Sequence, residues 1–254
     1  MKQYKGYFID LDGTLFRGEE VIPGALEFVS QLNRKQIPYL YLTNNSTRSP
    51  EWVANKLQRM GYPARKEQVF TTALATARYL QEKEGEMSVY VVGEEGLFQA
   101  ISEAGIVITD QNPDAVVVGL DRSFTYEKMK KACLAIRAGA KLIGTNADLA
   151  LPTEEGLWPG SGSLAVAIAA ASGTKPFFIG KPEPVIMHYA LKKIGLKPEE
   201  VLVVGDNLQT DILAGKNGGM DTLLVYTGVT TPQMAKSSDL KATYAVDNLS
   251  DWFK

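Results

Sequence analysis

Short apolar runs and amphipathic stretches alternate along this chain. Residues 7–9, 39–42, 89–92, 116–118, 142–143, 177–179, 201–204 and 222–225 are continuous apolar runs bounded by turn residues. Runs of that kind predict strands buried on both faces, since a half-exposed strand would alternate apolar and polar positions. Helical periodicity fills the intervals. Pro23 precedes a helix over 25–34, and Ser49 and Pro50 open one over 51–60 that Gly61 stops. Further helices are predicted over 184–194, ended by Gly195, and over 210–216, ahead of Gly218 and Gly219. Strands alternating with helices of this length predict an α/β chain with a Rossmann-like parallel-sheet core.

The 254 residues exceed one ordinary domain and suit two, and 45% hydrophobic content supports a sizeable core. Basic and acidic residues number 27 and 29, a net charge of −2 with no block of either sign, which argues against a nucleic-acid or anionic-membrane partner. Cys133, the single cysteine, has no internal disulfide partner and falls on a helical face with Met129 and Ile136. Met1 to Gly6 hold no signal-peptide core, and the apolar run 164–171 is too short to span a bilayer. A soluble, cytoplasmic protein is expected.

Candidate chemistry gathers at strand ends. The first strand runs into Asp10-Leu11-Asp12-Gly13-Thr14, the second into Thr43-Asn44-Asn45. Residues 177–179 lead to Gly180-Lys181-Pro182, and 201–204 to Gly205-Asp206-Asn207 with Asp211 beyond. Each piece has a plain alternative: an Asp/Gly turn, a capping threonine, a surface lysine, a helix N-cap. Open α/β sheets, however, place their ligand crevice at the carboxyl ends of strands. Turn chemistry alone does not account for carboxylates, a hydroxyl and a lysine distributed over four such ends.

The order Asp-x-Asp-Gly-Thr, Thr, Lys-Pro and Gly-Asp with a later Asp resembles the haloacid dehalogenase-like hydrolase superfamily. Leu42-Thr43-Asn44-Asn45, Ile179-Gly180-Lys181-Pro182 and the long insertion between Thr43 and Lys181 resemble its NagD-like phosphatase subfamily. The likeness covers essentially the whole chain. It implies a Mg²⁺-dependent phosphatase for small phosphomonoesters, with sugar or acid-sugar phosphates ahead of nucleotides and aryl phosphates. Asp10 would be the nucleophile that becomes an aspartyl-phosphate, and Asp12 the general acid and then base. Asp10, Asp206 and the backbone carbonyl of Asp12 would hold the metal, a hard cation suited to oxygen ligands. Thr43, Asn44 and Lys181 would hold the phosphoryl oxygens, while Asp211 would orient waters on the metal. The partner is then a small phosphorylated metabolite, and a homodimer stays open because cap surfaces of relatives can mediate dimers.

The resemblance also divides the chain into a discontinuous catalytic core, 1–78 and 179–254, and a smaller inserted α/β cap domain, 79–178. Within the insertion, Asn146 and Asp148 follow a strand end and are candidates for cap contacts with substrate, or members of a capped turn. Gly160 and Gly162 match part of a dinucleotide fingerprint, but the preceding 154–158 stretch does not read as a strand, so the match fails. His188, the one histidine, lies mid-helix without a metal-binding partner and reads as packing or surface. Other readings are a phosphotransferase or phosphomutase with the same nucleophile and a receiver-like phospho-acceptor module. A NAD-binding oxidoreductase would rest on Gly160 and Gly162 alone.

Overall fold

A computed structural model describes residues 2–82, 87–153 and 155–253. The chain forms two compact units: Met1–Thr43 with Pro50–Phe70 and Lys181–Lys254, and Asn44–Ser49 with Thr71–Gly180. Both are α/β, as the apolar runs predict.

The first unit is built on a six-stranded sheet. Its order is Tyr244–Val246, Asp221–Val225, Val201–Gly205, Gly6–Ile9, Tyr39–Thr43 and Val69–Thr71. Gly6–Ile9 pairs in parallel with Val201–Gly205 on one side and Tyr39–Thr43 on the other, with Ile9 level with Val204 and Tyr41. These three strands are buried throughout, which is why they read as unbroken apolar runs. Their shared register brings Asp10, Asp206 and Thr43 to one edge of the sheet. On one face, Ile9, Leu202, Val204 and Leu223 pack with Phe28, Val29 and Leu32 of the helix Ala25–Arg34. The C-terminus closes this core: Trp252 is buried and its Nε1 donates to the Tyr7 hydroxyl at 3.1 Å.

The second unit has its own parallel sheet, in the order Phe177–Phe178, Lys141–Gly144, Ala115–Val118, Ser88–Val92, Val107–Ile108. Val116, Val118 and Leu142 pack under Ala132 and Ile136 of Tyr126–Arg137 and Ala165 and Ile168 of Ser161–Ser172. Cys133 is half-buried, its thiol facing the Ile168 carbonyl.

Several local expectations change. Gly156–Pro159, which overlaps the 154–158 stretch read as non-strand, pairs antiparallel with Ala150–Thr153. Gly156 takes a positive φ where the second strand begins, and that strand's exposed apolar side chains hid the alternation a strand is recognised by. Glu154 lies outside the described residues. The helix expected over 210–216 begins earlier, as a wide π-helical turn Leu208–Ile212 continued by Leu213–Asn217. Its cap is Asn207, whose side chain accepts from the Gln209 amide at 2.9 Å. Among the described residues no helix is long and apolar enough to cross a membrane.

Candidate active site

At the carboxyl edge of the first sheet, Asp10 leaves its strand with its amide still donating to the Val204 carbonyl at 2.9 Å. That bond continues the ladder one residue past the strand and fixes where the carboxylate starts. Lys181 Nζ lies 2.5 Å from Asp10 Oδ1 and 2.6 Å from Asp211 Oδ1, with its side chain 4% exposed. It also reaches the Leu42 carbonyl at 3.4 Å, just before Thr43. Asp206 takes a hydrogen bond from Thr14 Oγ1 at 3.1 Å and from the Val229 amide at 2.6 Å. The same Thr14 hydroxyl stands 3.4 Å from Asp10 Oδ2. Asp211 accepts from the Asn207 amide at 3.1 Å, a bond the π-helical turn permits by swinging the carboxylate back toward the strand end.

Oxygens of Asp10, Asp206 and Asp211 lie within 4.8 Å of one another. Three carboxylates here face one ammonium, so two negative charges lack compensation when all are ionised. Burial therefore pushes the Asp10 carboxyl well above its ordinary range, helped by Asp211 and opposed by Lys181. Asp206 is pushed up to about 6 by burial and then by Asp211. For Lys181, burial alone would lower the ammonium, but Asp10 and then Asp211 outweigh it and hold the group above its usual value. An oxygen-only donor set with excess negative charge fits a hard divalent cation. Asp10, Asp206 and Asp211 are the side chains that could reach one.

Asp12 differs from these. It reaches solvent, and among the described residues its carboxylate has no hydrogen-bond partner. Burial of its flank still raises its carboxyl, against the pull of Lys56 and then Lys181. A carboxyl that meets water and sits above its ordinary value is able to exchange protons. Its backbone bridges to Phe16, within a small hairpin Phe16–Arg17 and Glu20–Val21.

Thr43 ends its strand buried beside this cluster's sheet edge. Asn44 belongs to the second unit, where its Nδ2 donates to Asp148 Oδ2 at 2.9 Å and its carbonyl accepts from Asn146 Nδ2 at 2.9 Å. Lys181 thus joins Asp10 and Asp211 directly and Thr14 links Asp206 to Asp10, while Asn44, Asn146 and Asp148 form a second group of their own. His188 is exposed, its ring edge-on to Tyr189, away from any metal-binding cluster among the described residues.

Sequence reasoning passed over two contributors, Thr14 and Gly228, while Gly13 was already expected to allow the sharp turn after the first strand. Thr14 is fully buried between two carboxylates, and its place in the Asp-x-Asp-Gly-Thr run was a usable signal. Gly13, at φ 85°, lets the chain turn where a Cβ would come within 2.6 Å of Asp206 Oδ2. Gly228 leaves room for the same carboxylate ahead of the Val229 amide, and nothing in the sequence marked it.

The comparisons with known proteins agree with this geometry. Residues 7–107 match the family model described as haloacid dehalogenase-like hydrolase, and residues 178–252 a HAD-hydrolase-like model. The chain is 53% identical to the 5'-nucleotidase YutF of Bacillus subtilis, over 99% of this chain and 98% of that protein. It is 48% identical to an acid sugar phosphatase of Staphylococcus aureus (strain USA300), over 99% and 97%. The solved structure of NagD from E. coli K-12 superposes with a TM-score of 0.92 at 37% identity, covering 98% of each chain. With the strand-end carboxylates and lysine in place, these likenesses make the chain a member of the haloacid dehalogenase-like hydrolases, among the NagD-like phosphatases.

Proposed function

We propose that this phosphoric monoester hydrolase acts through a covalent phosphoryl group on Asp10, with Mg²⁺ as its cofactor. The observation that carries the reading is Lys181 bridging Asp10 and Asp211 while Asp206 stands alongside. A phosphate ester repels an anionic nucleophile, so positive charge must surround the phosphorus for a carboxylate to attack. Lys181 supplies one such charge at the nucleophile itself. Asp10, Asp206 and the Asp12 carbonyl would hold Mg²⁺, which when bound neutralises phosphoryl and carboxylate charge.

In the first step an Asp10 oxygen bonds to phosphorus as the ester bond breaks, and Asp12 gives its proton to the leaving alkoxide. In the second, Asp12, now a carboxylate, takes a proton from a water that attacks the same phosphorus, which frees Asp10 and releases phosphate. The raised carboxyl of Asp12 and its contact with water suit both proton transfers. Thr43, the Asn44 backbone and Lys181 would hold the phosphoryl oxygens, and Asp211 would orient waters on the metal. The insertion 79–178 serves as cap domain to the core formed by 1–78 and 179–254. Relatives named as an acid sugar phosphatase and a 5'-nucleotidase support small phosphomonoesters as substrates, sugar or acid-sugar phosphates and nucleoside 5'-monophosphates.

The test is acid-quench trapping during turnover of 4-nitrophenyl phosphate, followed by mapping of the phosphorylated residue. Label on Asp10 that appears and decays at the turnover rate supports the reading. Turnover with no protein-bound phosphate rejects the covalent step. Label transferred to added sugars rather than water would make the enzyme a phosphotransferase.

A further inference from the structure

Asn44, which follows Thr43 in the chain, is held from three sides within the second unit. Asp148 Oδ2 takes its side-chain amide at 2.9 Å, and Asn146 Nδ2 and Thr72 Oγ1 each donate to its carbonyl at 2.9 Å. The residues beyond it are anchored too. The Thr47 carbonyl accepts from the Gly96 amide at 3.0 Å. A Cβ on Gly96 would come within 2.6 Å of the Arg48 backbone, and one on Gly119 within 2.8 Å of Ser46 Oγ. Gly93 and Gly119 follow Ser88–Val92 and Ala115–Val118, the adjacent strands at which this sheet's order reverses. Parallel α/β sheets offer a ligand crevice at that place. Here the chain's own segment 46–48 lies against it.

The loop carrying Asn146 and Asp148 is itself rigidly supported. Asp148 N donates to Asn146 Oδ1 at 3.2 Å, the Gly162 amide to the Asp148 carbonyl at 2.9 Å, and the hydroxyls of Thr145 and Ser161 meet at 3.1 Å. Thr145, Asn146 and Ser161 are all buried. The glycines that imitate a dinucleotide fingerprint therefore pack against this loop. The loop also reaches Gly180, whose amide donates to the Thr145 carbonyl at 2.7 Å, and a Cβ there would stand 2.6 Å from Asn44 Oδ1. One loop thus fixes the residue after Thr43 and the residue before Lys181.

We infer that Asp148 and Asn146 are positioning residues: they hold Asn44 in the one orientation that delivers Thr43 and the Asn44 backbone to the phosphoryl group. The inference rests on the phosphatase reading of Thr43 and Lys181. It separates Asp148 from any role in gripping the leaving group, because its effect passes through Asn44. A charge-assisted bond to the Asn44 amide is stronger than a neutral one and suits a residue that must not rotate.

A double-mutant cycle on Asn44→Ala and Asp148→Ala tests it, with kcat and KM measured for 4-nitrophenyl phosphate and for a hexose 6-phosphate. Asp148→Ala should lower kcat/KM about tenfold or more on both esters, in the range seen when a supporting partner of a site residue is lost. The double variant should be no worse than Asn44→Ala alone, and Asp148→Asn, which keeps an acceptor oxygen for the Asn44 amide, should recover most of the loss. Losses that multiply, or that fall on one leaving group, would overturn the inference and place Asp148 on the substrate. If Asp148→Ala does not fold, Asp148→Asn decides: activity near wild type supports positioning, and full loss rejects it. If the wild type hydrolyses neither ester, the phosphatase reading has failed. The same cycle is then read on binding of inorganic phosphate with Mg²⁺, where coupling supports the inference and additivity rejects it.

Discussion

Lys181 Nζ stands 2.6 Å from Asp211 Oδ1, an ion pair whose side chains are only 4% and 2% exposed. The pair ties the carboxylate proposed to order metal waters to the lysine proposed to hold phosphate. In Asp211→Asn the shape survives but the second counter-charge on Lys181 is lost, and the ammonium turns wholly to Asp10. A tighter Lys181–Asp10 pair makes the nucleophile less free to attack. Activity should fall about 10–100-fold, mainly in kcat, as for other supporting residues of a metal site. Steady-state kinetics at saturating Mg²⁺ would check it, and unchanged kcat would detach Asp211 from the mechanism.

Asp10→Asn should lower turnover by about 10⁴-fold or more, as loss of a nucleophile does, with the fold intact by circular dichroism. The charge count adds a second expectation. Without metal, Asp10, Asp206 and Asp211 share one ammonium, so neutralising Asp10 relieves repulsion in a buried site. Metal-free Asp10→Asn should melt at a higher temperature than metal-free wild type near neutral pH. A lower melting temperature would mean that the Lys181–Asp10 pair contributes more than the repulsion costs.

How much of this was legible in the sequence depends on what each residue contributes. Asp10, Asp12 and Asp206 stand next to unbroken apolar runs whose strands are neighbours in one parallel sheet, which brings their ends to one edge whatever lies between. Lys181 instead follows Phe177–Phe178, a strand of the other sheet, so its place beside Asp10 did not follow from strand order. The Val229 amide, 2.6 Å from Asp206, is a backbone group and leaves no signature in residue type. Gly228 beside it matters for a missing side chain, which a single sequence cannot distinguish from an ordinary turn glycine. Phe16–Arg17 and Glu20–Val21 are too short to show periodicity, so the hairpin bearing Asp12's bridge partner was invisible. That Asn44 belongs with Asn146 and Asp148 was equally hidden, because hydrogen bonds across about one hundred residues of chain follow from topology rather than spacing.

Metal binding should depend on pH with a definite sign. Asp206 is raised to about 6 in the folded protein and titrates near the ordinary aspartate value of 3.8 when unfolded. The metal-free fold therefore binds this proton more tightly than the unfolded chain does. That contribution to stability is complete below about pH 4 and is lost as pH rises through about 6. A divalent cation replaces the missing positive charge where the carboxylates are ionised, and competes with protons where they are not. The rise in melting temperature on adding Mg²⁺ should be larger at about pH 7.5 than at about pH 5. Scanning calorimetry with EDTA and with Mg²⁺ at both values would check it. An equal rise at both would show that these carboxylates do not bind the ion.

Gly228→Ala probes the metal site without touching an ionisable group. A Cβ at this position would fall on the Asp206 carboxylate, which the Val229 amide holds from the same side at 2.6 Å. The backbone there is not left-handed, so alanine itself is tolerated and the strain falls on Asp206. Asp206 must rotate or the 228–229 segment must retreat, and either change misplaces one proposed metal ligand while leaving Asp10, Lys181 and Asp211 as they are. The concentration of Mg²⁺ needed for half-maximal activity should rise about 10–100-fold, with much of kcat restored at high Mg²⁺. Metal titration of activity separates this outcome from a general loss of structure, which no concentration of the ion would repair. An unchanged Mg²⁺ requirement would remove Asp206 from the ligand set.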